Sequence, residues 1–225
     1  MFGHHAHPPP GFIPQWLALL PLALWTAGCT VTQPVRVLEP DEVRLTASFG
    51  GPVVPSSIPT VVVPYGTVGA MVGVTEAVTV TGNVHVPLVA LETVGLDAGA
   101  AVRVVHESGF VPEVTAKGTA LLITNFKPGS SRLFPLVSVN GSYLIGESVQ
   151  AYGGMENMFQ FTGTEHYFLG PFAGLEVRLS HRFALQGEAK WMAANIDTRT
   201  GVFEGQSSFH GKGSFGLFVG ASYVW

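Results

Sequence analysis

The chain has 225 residues, 47% of them hydrophobic and only 12% charged, with a formal net charge of -4 at pH 7. Globular domains carry about 25% charged residues, so this chain is apolar for its size, while its twenty-eight glycines and sixteen prolines argue against a helical protein. Apart from part of the N-terminus, no window of about eighteen residues is both apolar and free of Pro, which excludes helical membrane spans, and the scattered basic residues leave no nucleic-acid footprint.

In chain order, the first feature is a short apolar stretch, Ile13 to Trp25, followed by Thr26, Ala27, Gly28 and Cys29. A stretch of this length at the N-terminus, ahead of small residues, is an export signal rather than part of the fold. Small residues ahead of a Cys resemble a bacterial lipobox, in which the Cys becomes the lipidated first residue of the mature protein. Cys29 is the only cysteine in the chain, which fits a single acceptor and excludes an internal disulfide. Ordinary cleavage nearby, with Cys29 incidental, is the alternative. Residues 1–28 are thus expected to be a signal peptide, 29–41 a tether, and 42–225 the folded unit. Thr30 after the Cys implies, by the same resemblance, passage to the outer membrane.

From Glu42 onward the chain divides into alternating segments separated by turn-forming residues. The first predicted strand is Val43 to Phe49, with Val43, Leu45, Ala47 and Phe49 on one face. A Pro-rich loop, Gly50 to Gly66, leads to the second strand, Thr67 to Thr75. The third, Val78 to Leu88, sets Val78, Val80, Val84, Val86 and Leu88 against Thr79, Thr81, Asn83 and His85. The fourth is Val94 to Val105, the fifth Val114 to Asn125 and the sixth Leu133 to Leu144. The seventh, Ser148 to Gly153, is the shortest and precedes a loop read as Gly154 to Tyr167. The eighth, Phe168 to Leu179, turns at Ser180 and His181 into the ninth, Arg182 to Ala194. The tenth is Ser214 to Trp225, where Phe215, Leu217, Val219, Ala221, Tyr223 and Trp225 share a face.

A terminal strand that ends on an aromatic residue, with apolar residues at every second position before it, resembles the C-terminal strand of bacterial outer-membrane β-barrels. Trp225 and Tyr223 carry that signature. The resemblance implies an all-β, antiparallel transmembrane barrel in the bacterial outer membrane, contacting outer-membrane lipid and delivered by the barrel-assembly machinery, which reads the last strand. Segments of about ten residues suit tilted strands crossing hydrocarbon. Bacterial single-chain barrels have an even number of strands, short periplasmic turns and long outer loops. Ten strands satisfy this, with Trp225 on the periplasmic side; eight would follow if the seventh and one neighbour were loop.

The predicted inward sets carry the titratable side chains. Asp97 and Arg103 lie beside His85, and Glu176 and Arg178 on the eighth strand face Arg182, Gln186, Glu188 and Lys190 on the ninth. The tight turn is expected to bring Glu176 near Arg182, Gln186 or Lys190, and Asp97 near Arg103. Buried charges need partners because a desolvated lone charge costs several kcal/mol. A structural network filling the lumen meets that need; a selectivity or gating cluster in a small channel is the sharper alternative. A barrel of about eight strands is just filled by its side chains, and ten is only slightly wider.

No catalytic constellation accompanies these residues. His106 with Ser108 falls in a predicted periplasmic turn, while His166 with Glu165 and His210 with Ser207 and Ser208 fall in outer loops. Neither a Ser motif with flanking glycines nor HExxH is present, and the histidines beyond the N-terminus are too far apart for a metal set. No enzyme activity, metal or cofactor is therefore expected. Met155, Met158, Phe159, Phe161, Phe203 and Phe209 place apolar side chains in outer loops, as contact surfaces for protein partners or as part of an aromatic girdle with Tyr167, Trp191 and Tyr223. Three functions follow: a structural or interaction barrel with a mostly plugged lumen, a narrow porin-like channel, or a soluble lipid-anchored sandwich or lipocalin-like binder whose alternating apolar face packs inward.

Overall fold

The computed structural model describes residues 32–54, 61–62, 65–86, 93–125, 131–161, 167–197 and 211–225. Its strands are β1 (Val43–Val54), β2 (Val61–Val62), β3 (Tyr65–Thr75), β4 (Val78–His85), β5 (Thr93–Val105), β6 (Glu113–Asn125), β7 (Ser131–Ile145), β8 (Val149–Phe159), β9 (Tyr167–Arg178), β10 (Phe183–Asp197) and β11 (Lys212–Val224). The two-residue β2 pairs only with the end of β1. The other ten form a ring in which each strand is antiparallel to its chain neighbours, and β1 pairs with β11 from Arg44↔Val224 to Pro52↔Gly216. The Trp225 amide donates to the Val43 carbonyl at 2.9 Å, so the last residue of the chain is bonded to the first strand. Closure leaves no free edge in the ring, which is what a sheet in hydrocarbon requires, since no water is there to satisfy an open ladder.

The alternation read from the sequence points apolar side chains outward. Leu45, Phe49, Val72, Val80, Val102, Val139, Leu175, Leu185, Leu217 and Val219 are all exposed on the outer face. Their neighbours Arg44, Thr79, Thr81, Asp97, Thr115, Lys117, Ser138, Asn140, Glu176, Glu188 and Lys190 are buried inside. This inverts a soluble protein. A lipocalin-like binder would turn its apolar face inward, so that expectation is overturned. An apolar exterior on an even-stranded closed barrel is how bacterial outer membranes are crossed. The connections at residues 76–77, 106–112, 146–148 and 179–182 are shorter as a set than those at the other end, matching short periplasmic turns and longer outer loops.

Several predicted boundaries move by a few residues, and three changes bear on the lumen or the strand count. The first strand runs on to Val54 instead of stopping at Phe49, because Gly50, Gly51 and Pro52 stay in register with β11. The third ends at His85, and residues 87–92 lie outside the described set. The largest correction is the seventh strand: β8 continues through Gly154 to Phe159, pairing Glu156 with Ser138 and Met158 with Leu136. Gly153 and Gly154 read as a loop start in sequence, but Gly154 is a close approach. A Cβ there would lie 2.0 Å from the Val139 carbonyl oxygen. With β8 complete, the count is ten and not eight.

Residues 32–41, from the segment read as a tether, do not hang outside the ring. Gln33, Val35, Val37 and Leu38 are buried by the lumen-facing side chains of the wall. At the short-turn end the segment is pinned to Gly73, whose carbonyl accepts the Asp41 amide at 3.0 Å and whose amide donates to the Glu42 carbonyl at 2.9 Å. A side chain at Gly73 would collide with the Glu39 carbonyl oxygen at 1.9 Å. From there the segment climbs inward to Gln33, beside Glu156 and Ser138 in the middle of β8 and β7.

Candidate functional site

The lumen holds two clusters of paired side chains and a third group built around the internal segment. On β4 and β5, the register sets Asn83 opposite Asp97. Asn83 Nδ2 donates to Asp97 Oδ1 at 2.8 Å, and His85 Nε2 lies 2.7 Å from Asp97 Oδ2. Tyr65 Oη bonds His85 Nδ1. His85 is thus bonded at both ring nitrogens, in a chain running Tyr65, His85, Asp97, Asn83.

Nearer the short-turn end, Arg103 Nε is 3.0 Å from Glu113 Oε2, and Arg44 Nη1 is 3.4 Å from Glu176 Oε2. Arg44 also meets Glu42 at 3.2 Å. Arg36 of the internal segment shares this neighbourhood, within electrostatic reach of Arg178, Arg44, Glu42 and Glu176. Each carboxylate here is close to a guanidinium, which is the condition for keeping charge inside a narrow wall.

The third group surrounds Gln33. Lys190 Nζ lies 3.2 Å from Glu188 Oε1 and 3.5 Å from Glu156 Oε1, and 5.5 and 5.7 Å from the rings of Phe172 and Phe218. Tyr152 Oη donates to Glu188 Oε2 at 3.0 Å and accepts from Gln186 Nε2 at 2.7 Å. Val35 packs with Tyr152 and Phe172 in a small apolar cluster, and Asn140 Nδ2 donates to the carbonyls of Pro34 and Val35 at 3.2 and 3.3 Å. The Leu38 amide donates to Thr79 Oγ1 at 2.8 Å. Beside residues 32–35 remains a cavity of about 40 Å³, lined in part by Lys117, Asn83, Thr81 and Ser48, which is room for a few waters. Lys117 is buried and makes no hydrogen bond or ion pair among the described residues.

Most of the residues singled out in the sequence lie in these groups: His85, Asp97, Arg103, Glu176, Arg178, Gln186, Glu188 and Lys190 line the interior. One expected pairing differs: Arg103 pairs with Glu113 on the next strand and not with Asp97. Glu176 stands opposite Gln186 in register, one of its three expected neighbours, and its ion pair is with Arg44 on β1. Arg182 is outside the network altogether. It is exposed at the 179–182 turn, and its Nη1 donates to Tyr223 Oη at 3.4 Å.

Sequence reasoning set Arg44 on the inward face of the first strand without a partner, and missed Glu113, Lys117, Tyr152, Glu156 and Gln33. Arg44 and Lys117 fall on the inward parity of strands already drawn, so the signal was present. Glu156 was hidden by the misread loop, and Gln33 by the tether. The apolar Val35, Val37 and Leu38 were the available hint, since a solvated linker needs none.

Of the predicted contact residues, Met155 faces outward on β8, Met158 packs against the Leu121 and Leu136 cluster inside, and the Phe159 ring lies 5.5 Å from Tyr167. Phe161 is exposed. His106 and Ser108 are exposed on the 106–112 turn. Cys29, Glu165, His166, Phe203, Ser207, Ser208, Phe209 and His210 lie outside the described residues. Among the described residues, no group of three or more His, Cys, Asp or Glu is placed to hold a metal ion.

No protein-family model matches the chain, and no curated protein matches it. Solved structures similar to it include the translocator domain of the autotransporter NalP from Neisseria meningitidis, at 10% identity over 93% of this chain and 94% of that one, with a TM-score of 0.45. A de novo designed transmembrane β-barrel matches at 13% identity over 84% of this chain and 100% of the design, TM-score 0.36. The attachment invasion locus protein Ail of Yersinia pestis matches at 12% identity over 83% of this chain and 99% of Ail, TM-score 0.29. At such identities a likeness concerns fold alone. Its own ring closure and apolar outer face give the chain the fold of the bacterial outer-membrane β-barrels.

Proposed function

We propose that the chain works in the bacterial outer membrane as a closed barrel with a structural or interaction role, its lumen filled by its own N-terminal segment and a paired polar network. The observation that carries this is the burial of Gln33, Val35, Val37 and Leu38 inside the ring, where Thr79, Asn140, Gln186 and Glu188 bond their backbone. The cavity beside them, about 40 Å³, is room for only a few waters. Interaction partners would then meet the barrel at its outer loops, including the exposed Phe161, and at its lipid-facing wall. Lipidation of Cys29 and recognition of the last strand by the assembly machinery belong to the same proposal, supported by the sequence resemblance.

Conductance of the refolded chain in a planar bilayer tests the closed lumen. The expected result is silence from a barrel whose folding is verified by heat-dependent gel mobility. Reproducible steps that change with Glu188→Ala or Arg178→Ala would favour the second reading, a narrow passive channel. That reading draws on the polar lining and on the cavity beside Lys117.

A further inference from the structure

The ladder bonds of the wall run from strand to strand around the ring, and beyond its backbone anchor at Gly73 the internal segment meets the wall through side chains. At its inner end one residue is read completely. The Gln33 amide donates to Glu188 Oε2 at 2.9 Å, and the Gln33 carbonyl accepts from Gln186 Nε2 at 2.8 Å. Its side-chain Nε2 donates to Glu156 Oε2, and its Oε1 accepts from Ser138 Oγ at 3.2 Å. Donor and acceptor, backbone and side chain, each meet a complementary group on β7, β8 or β10. That is the pattern of a recognition site, because a buried amide left unmatched costs about 1–3 kcal/mol.

Between this point and the anchor at Gly73 the segment is also bonded by Asn140 and Thr79, while Arg36 lies within reach of both like and opposite charges and its buried Nε has no hydrogen-bond partner. The cavity of about 40 Å³ runs alongside residues 32–35.

We infer that the lumen contains a peptide site specific for one carboxamide residue of an extended segment, occupied in cis by Gln33, which latches the segment in place. The inference rests on the closed-lumen reading and adds to it a point of release. Chemistry sets the specificity. Glu156 and Glu188 flank the Lys190 ammonium, with the buried Lys117 in the same neighbourhood, and each carboxylate accepts a hydrogen bond from Gln33. A neutral side chain with an N–H donor suits these oxygens, and a carboxylate in its place would face them with no proton to give.

The test uses the full chain with Val35→Cys in a Cys29→Ser background, refolded in lipid, with two readouts: maleimide modification of the buried thiol and bilayer conductance. With Gln33 present, modification is expected to be slow and the bilayer silent. Gln33→Glu should speed modification at least about tenfold, the equivalent of losing one hydrogen bond to a charged group, and should produce conductance steps. The double variant Q33E/E156Q should slow modification again, since the amide at 156 then donates to the carboxylate at 33. Gln33→Asn, one methylene shorter, should fall between the parent and Gln33→Glu, and serves if Gln33→Glu fails to fold. A folded Gln33→Glu barrel as slow to react as its parent, or a double variant no slower than the single, overturns the latch. Conductance by the parent overturns the closed lumen instead, while modification of Val35→Cys still judges the latch.

Discussion

The two faces of β10 and β11 are made of neighbouring residues and obey opposite rules. Outside, Leu185, Leu217 and Val219 are exposed and make the chain compatible with hydrocarbon. Inside, Glu188 and Lys190 are among the most deeply buried side chains, and they are paired with each other. A soluble protein keeps one solvent outside and a dry core within. Here lipid is the outer solvent, and the interior is a polar core. Energetic weight therefore moves from apolar burial to ion pairing and ring closure.

The comparison breaks most severely where an inner charge loses its partner. Lys190→Met leaves Glu156 and Glu188 facing each other in a dry interior, and should cost about 3–5 kcal/mol; urea unfolding in vesicles, followed by tryptophan fluorescence, reads the loss. If the stability is unchanged, the interior is wetter than its burial implies. Next comes a charge on the opposite face. Leu217→Arg, midway along β11, should cost about 2–4 kcal/mol in the same assay, the penalty for a guanidinium near the bilayer midplane. A neutral result there would mean that this wall does not face lipid.

A smaller effect should follow from His85→Ala. Asp97 would keep Asn83 but lose the ring nitrogen at 2.7 Å, and Tyr65 would lose its bond to the His85 ring; about 1–3 kcal/mol is expected, with the barrel still closed. Arg182→Ala completes the series. Because Arg182 is exposed on the turn, its loss should stay within about 0.5 kcal/mol. A larger loss would return it to the network that the sequence assigned it to.

How far the site was legible depended on distance along the chain. The face each residue takes could be read directly, because side chains alternate with a period of two on any strand. That is why His85, Asp97, Glu176, Glu188 and Lys190 were placed inside correctly. Their partners could not be read the same way. Arg44 and Glu176 are 132 residues apart, and Gln33 and Glu188 are 155 apart; nothing local links them. Arg103 was paired with Asp97 on its own strand, whereas Glu113 reaches it from across the β5–β6 turn.

The β8 error came from a different source. Two adjacent glycines are a strong local turn signal, and only the crowding of β7 against Gly154 explains why they sit inside a strand. Glu156, central to the lumen, was lost with that boundary.

By itself the sequence determined the fold class, the inward and outward faces of the strands, and the C-terminal strand as a membrane-facing element. The faces follow from periodicity, a property of short stretches, and the barrel class from the resemblance of the C-terminal strand. Only the tertiary structure decided that β1 and β11 join, which charges pair, and that residues 33–38 lie within the ring. Those outcomes depend on closing a ring between the two ends of the chain. Once closed, the ring creates a buried, charged interior that no local stretch contains, and the segment beside its first strand is placed to fill it.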